Sequence, residues 1–233
     1  MNKKKLSITI AAGVLAITVV GGSLAWFTST ETKTSNFTTG SISHEIVEDF
    51  DETRASQGLL PGDEVNKDVW IKNTGNSDAL LRVKITPVWM NGEQEDKTLD
   101  TDSIQLVFDT NVQTLLKESG ITKGATWVYG NDGYFYYTSI LPVNSKAIEM
   151  KTEKLLDAVR LSGSITDQSK YANKEMSVKI ESETVQVNKD AYKETWKTTA
   201  TVEASITNML DNLVDSYKTA NGKTHVNNSS SNN

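Results

Sequence analysis

The sequence predicts an all-β protein, an antiparallel sandwich of two sheets with minor helical elements. Roughly nine short segments alternate apolar and polar residues with period two, which is the signature of strands with one buried face. Gly, Asn and Asp turns separate those segments, and only one stretch, near the C-terminus, carries strong helical spacing.

The elements follow in order. Lys3 to Lys5 precede an apolar run from Leu6 to Val20 that ends in Gly21-Gly22, the layout of an export signal. With about 15 apolar residues the run is shorter than the roughly 20 a spanning helix needs. Ser23-Leu24-Ala25 reads as the cleavage site, so residues 1–25 are a signal peptide and the mature chain begins at Trp26. From there Phe27, Ser29, Glu31, Lys33, Ser35 and Phe37 fall on one face, and Thr28, Thr30, Thr32, Thr34 and Asn36 on the other. Residues 26–37 are therefore an extended N-terminal arm, spanning roughly 36 Å at about 3.3 Å per residue.

After the turn at Thr38-Thr39-Gly40, Ile42, His44 and Ile46 alternate along a strand, and residues 48–58 are polar and read as a loop. Leu60-Pro61-Gly62-Asp63 turns the chain into Val65, Lys67, Val69 and Ile71. Asn73 to Asn76 turn it again, into a strand with Leu81, Val83, Ile85 and Trp89 on one face and Arg82 and Lys84 on the other. Ile104, Leu106 and Phe108 form a short strand, and Asn111 to Ser119 a helical turn or loop. Trp127-Val128-Tyr129 and Tyr134 to Leu141 flank Gly130-Asn131-Asp132-Gly133, a hairpin signal. Leu155 to Ile165 alternates, and Met176, Val178 and Ile180 open another strand whose apolar register moves to Val185 and Val187, which predicts a bulge near Ser182 to Thr184. Ile206, Met209, Leu210, Leu213, Val214 and Tyr217 share one helical face, predicted to pack on the sandwich. Residues 38–218 are thus one domain, followed by an Asn- and Ser-rich tail, 219–233, of disordered character.

Composition limits the function classes. The chain of 233 residues holds no Cys, which excludes disulfides, thiolate metal sites and a Cys nucleophile. Its formal charge is -6, and loss of the three N-terminal lysines leaves 21 basic against 30 acidic residues, or −9. Nucleic acid is not an expected partner of so acidic a chain. No second apolar segment or sorting motif follows the signal, so membrane contact is expected only through the signal peptide before cleavage.

The basic start, the apolar run with Gly-Gly, the aromatic at the junction, Phe37-x-x-Gly40, Leu60-Pro61-Gly62-Asp63 and Val69-x-Ile71-x-Asn73-x-Gly75 together resemble the TasA/camelysin family. The likeness is strongest over residues 1–90, extends more loosely to about residue 190 through Glu183 to Val187 and Ala191 to Trp196, and is most similar to clostridial BsaA-type matrix proteins. It implies a jelly-roll sandwich, processing by a SipW-type signal peptidase, a Gram-positive source, and a role in the extracellular biofilm matrix or at the cell surface. It also implies fibres that grow as the arm of one subunit fills a groove in the next. Trp26, Phe27, Thr28, Thr30, Thr32, Thr34 and Phe37 are then the polymerisation arm. The expected partners are a SipW-type peptidase, other copies of the chain, and a related matrix or accessory subunit.

Two rival readings carry their own residues. Camelysin brings a metallopeptidase label, and His44-Glu45-Ile46-Val47-Glu48 superficially resembles the zincin motif, which needs two His one helical turn apart. Here the fifth residue is Glu48 and the pattern is a strand, which sets His44 and Glu48 about 13 Å apart. The domain has no second His, since His225 lies in the tail, and no Ser/His/Asp set, P-loop or calcium loop. Acidic groups at Asp49, Asp51 and Glu52 and at Glu93, Glu95 and Asp96 read as solvated loop charge. The expectation is a non-enzyme without cofactor or metal. An adhesin or glycan-binding module would use Trp127, Tyr129 and Tyr134 to Tyr137; cross-strand aromatic pairing accounts for them more simply.

Overall fold

The computed structural model describes residues 41–114, 120–143, 151–197 and 204–221. One sheet has strand order β1 (His44–Phe50), β2 (Glu64–Asn73), β9 (Leu156–Leu161), β5 (Ile104–Phe108). The other runs β10 (Glu175–Gln186), β3 (Ala79–Asn91), β8 (Phe135–Tyr137), β7 (Trp127–Tyr129), β6 (Val112–Gln113), with the short β4 (Gln94–Glu95) on the end of β3. Helices are few: α1 (Glu52–Ala55), α2 (Lys189–Trp196) and α3 (Ala204–Ala220). Pairing is antiparallel except between β6 and β7, which run parallel.

The alternation read from the sequence decides which side chains meet between the sheets. Val69 and Ile71 from β2 and Leu156, Val159 and Leu161 from β9 pack against Leu81, Val83, Ile85 and Trp89 from β3. Trp127, Phe135 and Tyr137 join the same core from the predicted hairpin, in which Gly133 sits at φ +85° and the Gly130 N–H donates to Tyr134 O. Trp127, Phe135 and Tyr137 are buried, Trp127 pairs with Tyr137 at 4.9 Å, and the partly buried Tyr129 pairs with Phe135 at 4.7 Å, so these rings serve cross-strand packing.

A third layer covers the other face of the second sheet. Leu80, Val128, Tyr136 and Val185 point away from the inter-sheet core and meet Ala191, Tyr192 and Trp196 of α2 and Ile206, Leu210 and Val214 of α3. This layer corrects the expected bulge in β10. Pairing of β10 with β3 runs unbroken from Glu175 opposite Met90 to Gln186 opposite Ala79. The apolar register moves because the covered face changes: Met176, Val178 and Ile180 lean on the inter-sheet core, and Val185 on the helices. The bulges fall instead in β9's pairings, between Asn66 and Val69 and between Val107 and Phe108. Two loop expectations are corrected as well. Within 48–58, β1 continues to Phe50, because Glu48 to Phe50 pair with Val69 to Lys67, and α1 follows, capped by the Asp51 carboxylate. Within 111–119, Val112 and Gln113 pair with β7, and residues 115–119 lie outside the described set.

Two turns are built from motif residues. At Leu60 to Asp63, Gly62 takes φ +94°, and the Asp63 carboxylate accepts from the Leu60 N–H at 2.8 Å and pairs with Arg54 at 2.6 Å. Those contacts, the Leu60 N–H first, hold the Asp63 carboxyl below its usual range. At Asn73 to Asn76, the buried Asn73 amide donates to Ser77 O and Leu141 O and accepts from the Gly75 N–H. Thr74 and Gly75 N–H then donate to Ser43 O, and Asn76 N–H to Ser41 O. This fixes where the chain enters β1. It also explains Gly75, because a Cβ there would lie 2.4 Å from Ser41 O.

Arg82 is a buried cation between sheet and helices. Its guanidinium donates to Glu183 at 2.8 and 3.0 Å, approaches Asp132 at 3.6 Å, and stacks over Tyr134 at 3.8 Å. Burial alone would lower its pKa; hydrogen bonds to Tyr136 and Glu183 more than offset this and leave it raised. Tyr136 donates to Asp132 at 2.7 Å, so the hairpin turn, β3, β10 and α2 meet at one charge.

Three outcomes are expected in urea denaturation. Val214→Ala removes a fully buried side chain and lowers stability by about 2–4 kcal/mol, whereas Asp215→Ala changes it by under about 0.5 kcal/mol. Gly75→Ala forces the Ser41 to Ser43 backbone aside and lowers stability by about 1–3 kcal/mol. Arg82→Ala costs about 3 kcal/mol, the low end for a broken buried pair, because the Glu183 side chain keeps 38% exposure to water.

Candidate functional site

Every arm and cleavage residue expected from the sequence, Ser23, Leu24, Ala25, Trp26, Phe27, Thr28, Thr30, Thr32, Thr34 and Phe37, lies outside the described residues, as does His225. What the structure does describe is the surface that an added strand would meet.

Each sheet has two edges. At one end of each sheet lie β5 and the two-residue β6, and Phe108 of β5 packs on Phe135 of the interior β8 with rings 4.8 Å apart. On the other flank lie β1 and β10, each bonded to one neighbour among the described strands. β10 is the longer, at 12 residues against 7. Antiparallel pairing uses alternate residues on each side of a strand, so about six residues of β10 direct N–H and C=O groups away from β3. Its inner face is also only half covered, because Met176, Val178 and Ile180 reach the core from an edge with no strand beyond them among the described residues. Unpaired backbone beside half-covered apolar side chains is the physical description of a strand acceptor.

The two edges are joined at one end by His44. Its Nδ1 is 2.8 Å from Thr184 Oγ1, and its Nε2 is 2.7 Å from Ser182 Oγ and 3.1 Å from Ser182 O. Beside this clasp is a groove of about 480 Å³ lined by Ile42, Ser43, His44, Glu183, Thr184, Thr195 and Trp196. It straddles the free edge of β10 where β1 begins and α2 ends. Trp196 is 5% exposed, and its indole N–H finds no hydrogen-bond acceptor among the described residues. A buried donor without an acceptor is costly, and the residue that carries it is one of those lining the groove. A second groove of about 470 Å³ lies on the outer side of α3, floored by Ile121, Met209 and Leu213.

The remaining candidates are accounted for by contacts within the fold. Both His44 ring nitrogens are engaged, and the Glu48 carboxylate is 2.9 Å from Lys67 Nζ. Among the described residues no three His, Asp or Glu side chains converge as a metal would need. Asp51 caps α1, Glu95 pairs with Lys179, and the hydrogen bond from Lys174, helped by Thr98, holds the Asp96 carboxyl at about 2. The sequence names no receiving edge; what it does show is the alternating apolar row Met176, Val178 and Ile180, after which no further strand occurs among the described residues.

A family model described as camelysin metallo-endopeptidase matches residues 1–119. No curated protein matches the chain. The matched segment begins at the first residue and contains both motif turns, including the Asn73 and Gly75 turn that anchors the start of β1. On that match, over more than half its length, the chain belongs to the TasA/camelysin family.

Proposed function

We propose that this protein is a secreted structural subunit of extracellular biofilm matrix fibres, released by a SipW-type signal peptidase and assembled by strand addition between subunits. The observation that carries the reading is the free edge of β10, with its outward backbone groups and half-covered Met176, Val178 and Ile180. A strand arriving there gains a row of backbone hydrogen bonds, each worth on the order of 1 kcal/mol net, and covers apolar surface. Such a contact joins two different surfaces, so it does not close on itself and extends as a filament. The arm from Trp26 to Phe37 supplies the strand, and cleavage after Ala25 frees it. A related accessory subunit with the same kind of arm would join the same fibre.

Family membership supports this reading, and so does the architecture. The chain repeatedly passes from one sheet to the other, at β2 to β3 and again at β9 to β10, which favours a jelly roll. The family model's description names a metallo-endopeptidase, but the donor set here does not fit a catalytic metal. The single described His spends both ring nitrogens on Ser182 and Thr184, and Glu48 is paired with Lys67. We therefore read the protein as a non-catalytic member.

Purified chain beginning at Trp26 is expected to form filaments visible by electron microscopy, and chain beginning at Thr38 to remain unassembled. Equal assembly of the two would remove the arm from the mechanism.

A further inference from the structure

We infer that Asn91-Gly92, at the turn between β3 and β4, is a site of spontaneous covalent modification, where opening of the short hairpin lets Asn91 pass to aspartate or isoaspartate. The inference stands apart from strand addition and needs neither the arm nor an acceptor edge.

The chemistry asks for a particular neighbour. The backbone nitrogen of the following residue gives up its proton to water and attacks the Asn side-chain carbonyl carbon. A C–N bond forms, the bond to the side-chain nitrogen breaks, and that nitrogen leaves as ammonia. The five-membered imide that results takes up water at either carbonyl. Opening at the side-chain carbonyl gives aspartate; opening at the main-chain carbonyl gives isoaspartate, whose main chain is one methylene longer. A side chain on the following residue crowds the attack, and Gly removes that obstacle. The chain has two Asn-Gly pairs, Asn91-Gly92 and Asn221-Gly222.

The structure sets the first apart. Asn91 and Gly92 are both exposed, and a Cβ at Gly92 would meet nothing within 4 Å. Gly92 takes φ +63° while Glu93 stays at negative φ, the pattern of a two-residue hairpin loop with Gly first. Ladder pairing begins at Asn91 opposite Gln94, so the Gly92 nitrogen lies in the loop and carries no strand bond. Among the described residues no hydrogen bond holds the Asn91 side chain, whereas the Asn221 amide donates to Tyr217 O at 2.9 Å.

Pairing sets the rate. As the last residue of β3, Asn91 is extended, and ring closure needs its main chain to swing the Gly92 nitrogen toward the side chain. The hairpin must open first. Two residue pairs hold β4 to β3, Met90 with Glu95 and Asn91 with Gln94. Beyond them the Asp96 N–H donates to Trp89 O at 2.7 Å, and Asp96 and Glu95 pair with Lys174 at 2.8 Å and Lys179 at 2.7 Å. So short a unit opens locally while the sandwich stays closed. Reaction adds a negative charge beside Glu93 and Glu95. The isoaspartate product also lengthens a loop that sets the register of β4, which draws Asp96 away from Trp89 O.

The test holds the purified chain at mildly alkaline pH and follows the peptide that contains residue 91 by mass spectrometry, which reads the exchange of NH for O and separates the two products by fragmentation. Aspartate and isoaspartate are expected at residue 91, while the exposed Asn131, followed by Asp132 with its Cβ, stays intact over the same time. Lys174→Gln and Lys179→Gln each remove one ion pair and should speed conversion by roughly two- to fivefold, the worth of a partly exposed pair. Either variant serves alone should the other fail to fold. In the isoaspartate form the Asp96 amide is expected to exchange rapidly. Conversion of Asn91 no faster than that of Asn131 would overturn the site. An unchanged rate in the folded variants would overturn hairpin opening as its gate, and retained protection of Asp96 would overturn the loosening of β4.

Discussion

The unbroken antiparallel pairing of β3 with β10 is the constraint on which the rest of the molecule depends. It carries 12 residues of β10 across the whole second sheet without a bulge, so alternate side chains serve two different cores. Even positions meet the first sheet, and Val185 meets α2 and α3. The pairing also brings Glu183 to Arg82, where one buried guanidinium organises the hairpin turn and the end of α2. What it leaves over is the outer edge of β10. A strand committed on two faces and one edge has only its remaining edge for a partner.

Much of the fold was legible because its strands obey one rule, that an alternating residue belongs to a buried face. β2, β3, β5, β9 and the β7 and β8 hairpin follow from that rule, and α3 follows from its helical spacing. The helical layer over the second sheet was legible in part: the packing of α3 on the sandwich followed from its spacing, whereas the sheet face it covers shows only as adjacent apolar residues, Leu80-Leu81, Trp127-Val128 and Tyr136-Tyr137, where both faces are covered. The bulge expected in β10 failed for that reason, since a change of covered face and a slip of register leave the same apolar pattern. β6 and the end of β1 were missed because short polar strands are held by pairing partners rather than by their own composition.

The site divides differently. The arm announces itself through alternating threonines between Phe27 and Phe37, and its residues lie outside the described structure. The free edge of β10 is the reverse case, since the alternating row Met176, Val178 and Ile180 marks a face, and which described strand lies beside each edge is a property of sheet order. Two family motif residues acquire physical reasons. Asn73 satisfies buried carbonyls, and Gly75 makes room for the Ser41 backbone, so together they fix the root of whatever precedes β1. His44 has a structural role too, as a clasp between β1 and β10.

Backbone amide exchange along Glu175 to Gln186 tests the central claim most directly, because it reads the free edge itself. In the unassembled mature protein, alternate amides of β10 should exchange rapidly while those bonded to β3 are protected. In assembled protein the rapid set should become protected, and the amides of β5 should be unchanged. Rapid exchange at that same alternate set after assembly would contradict the account, since it would mean that no strand has arrived.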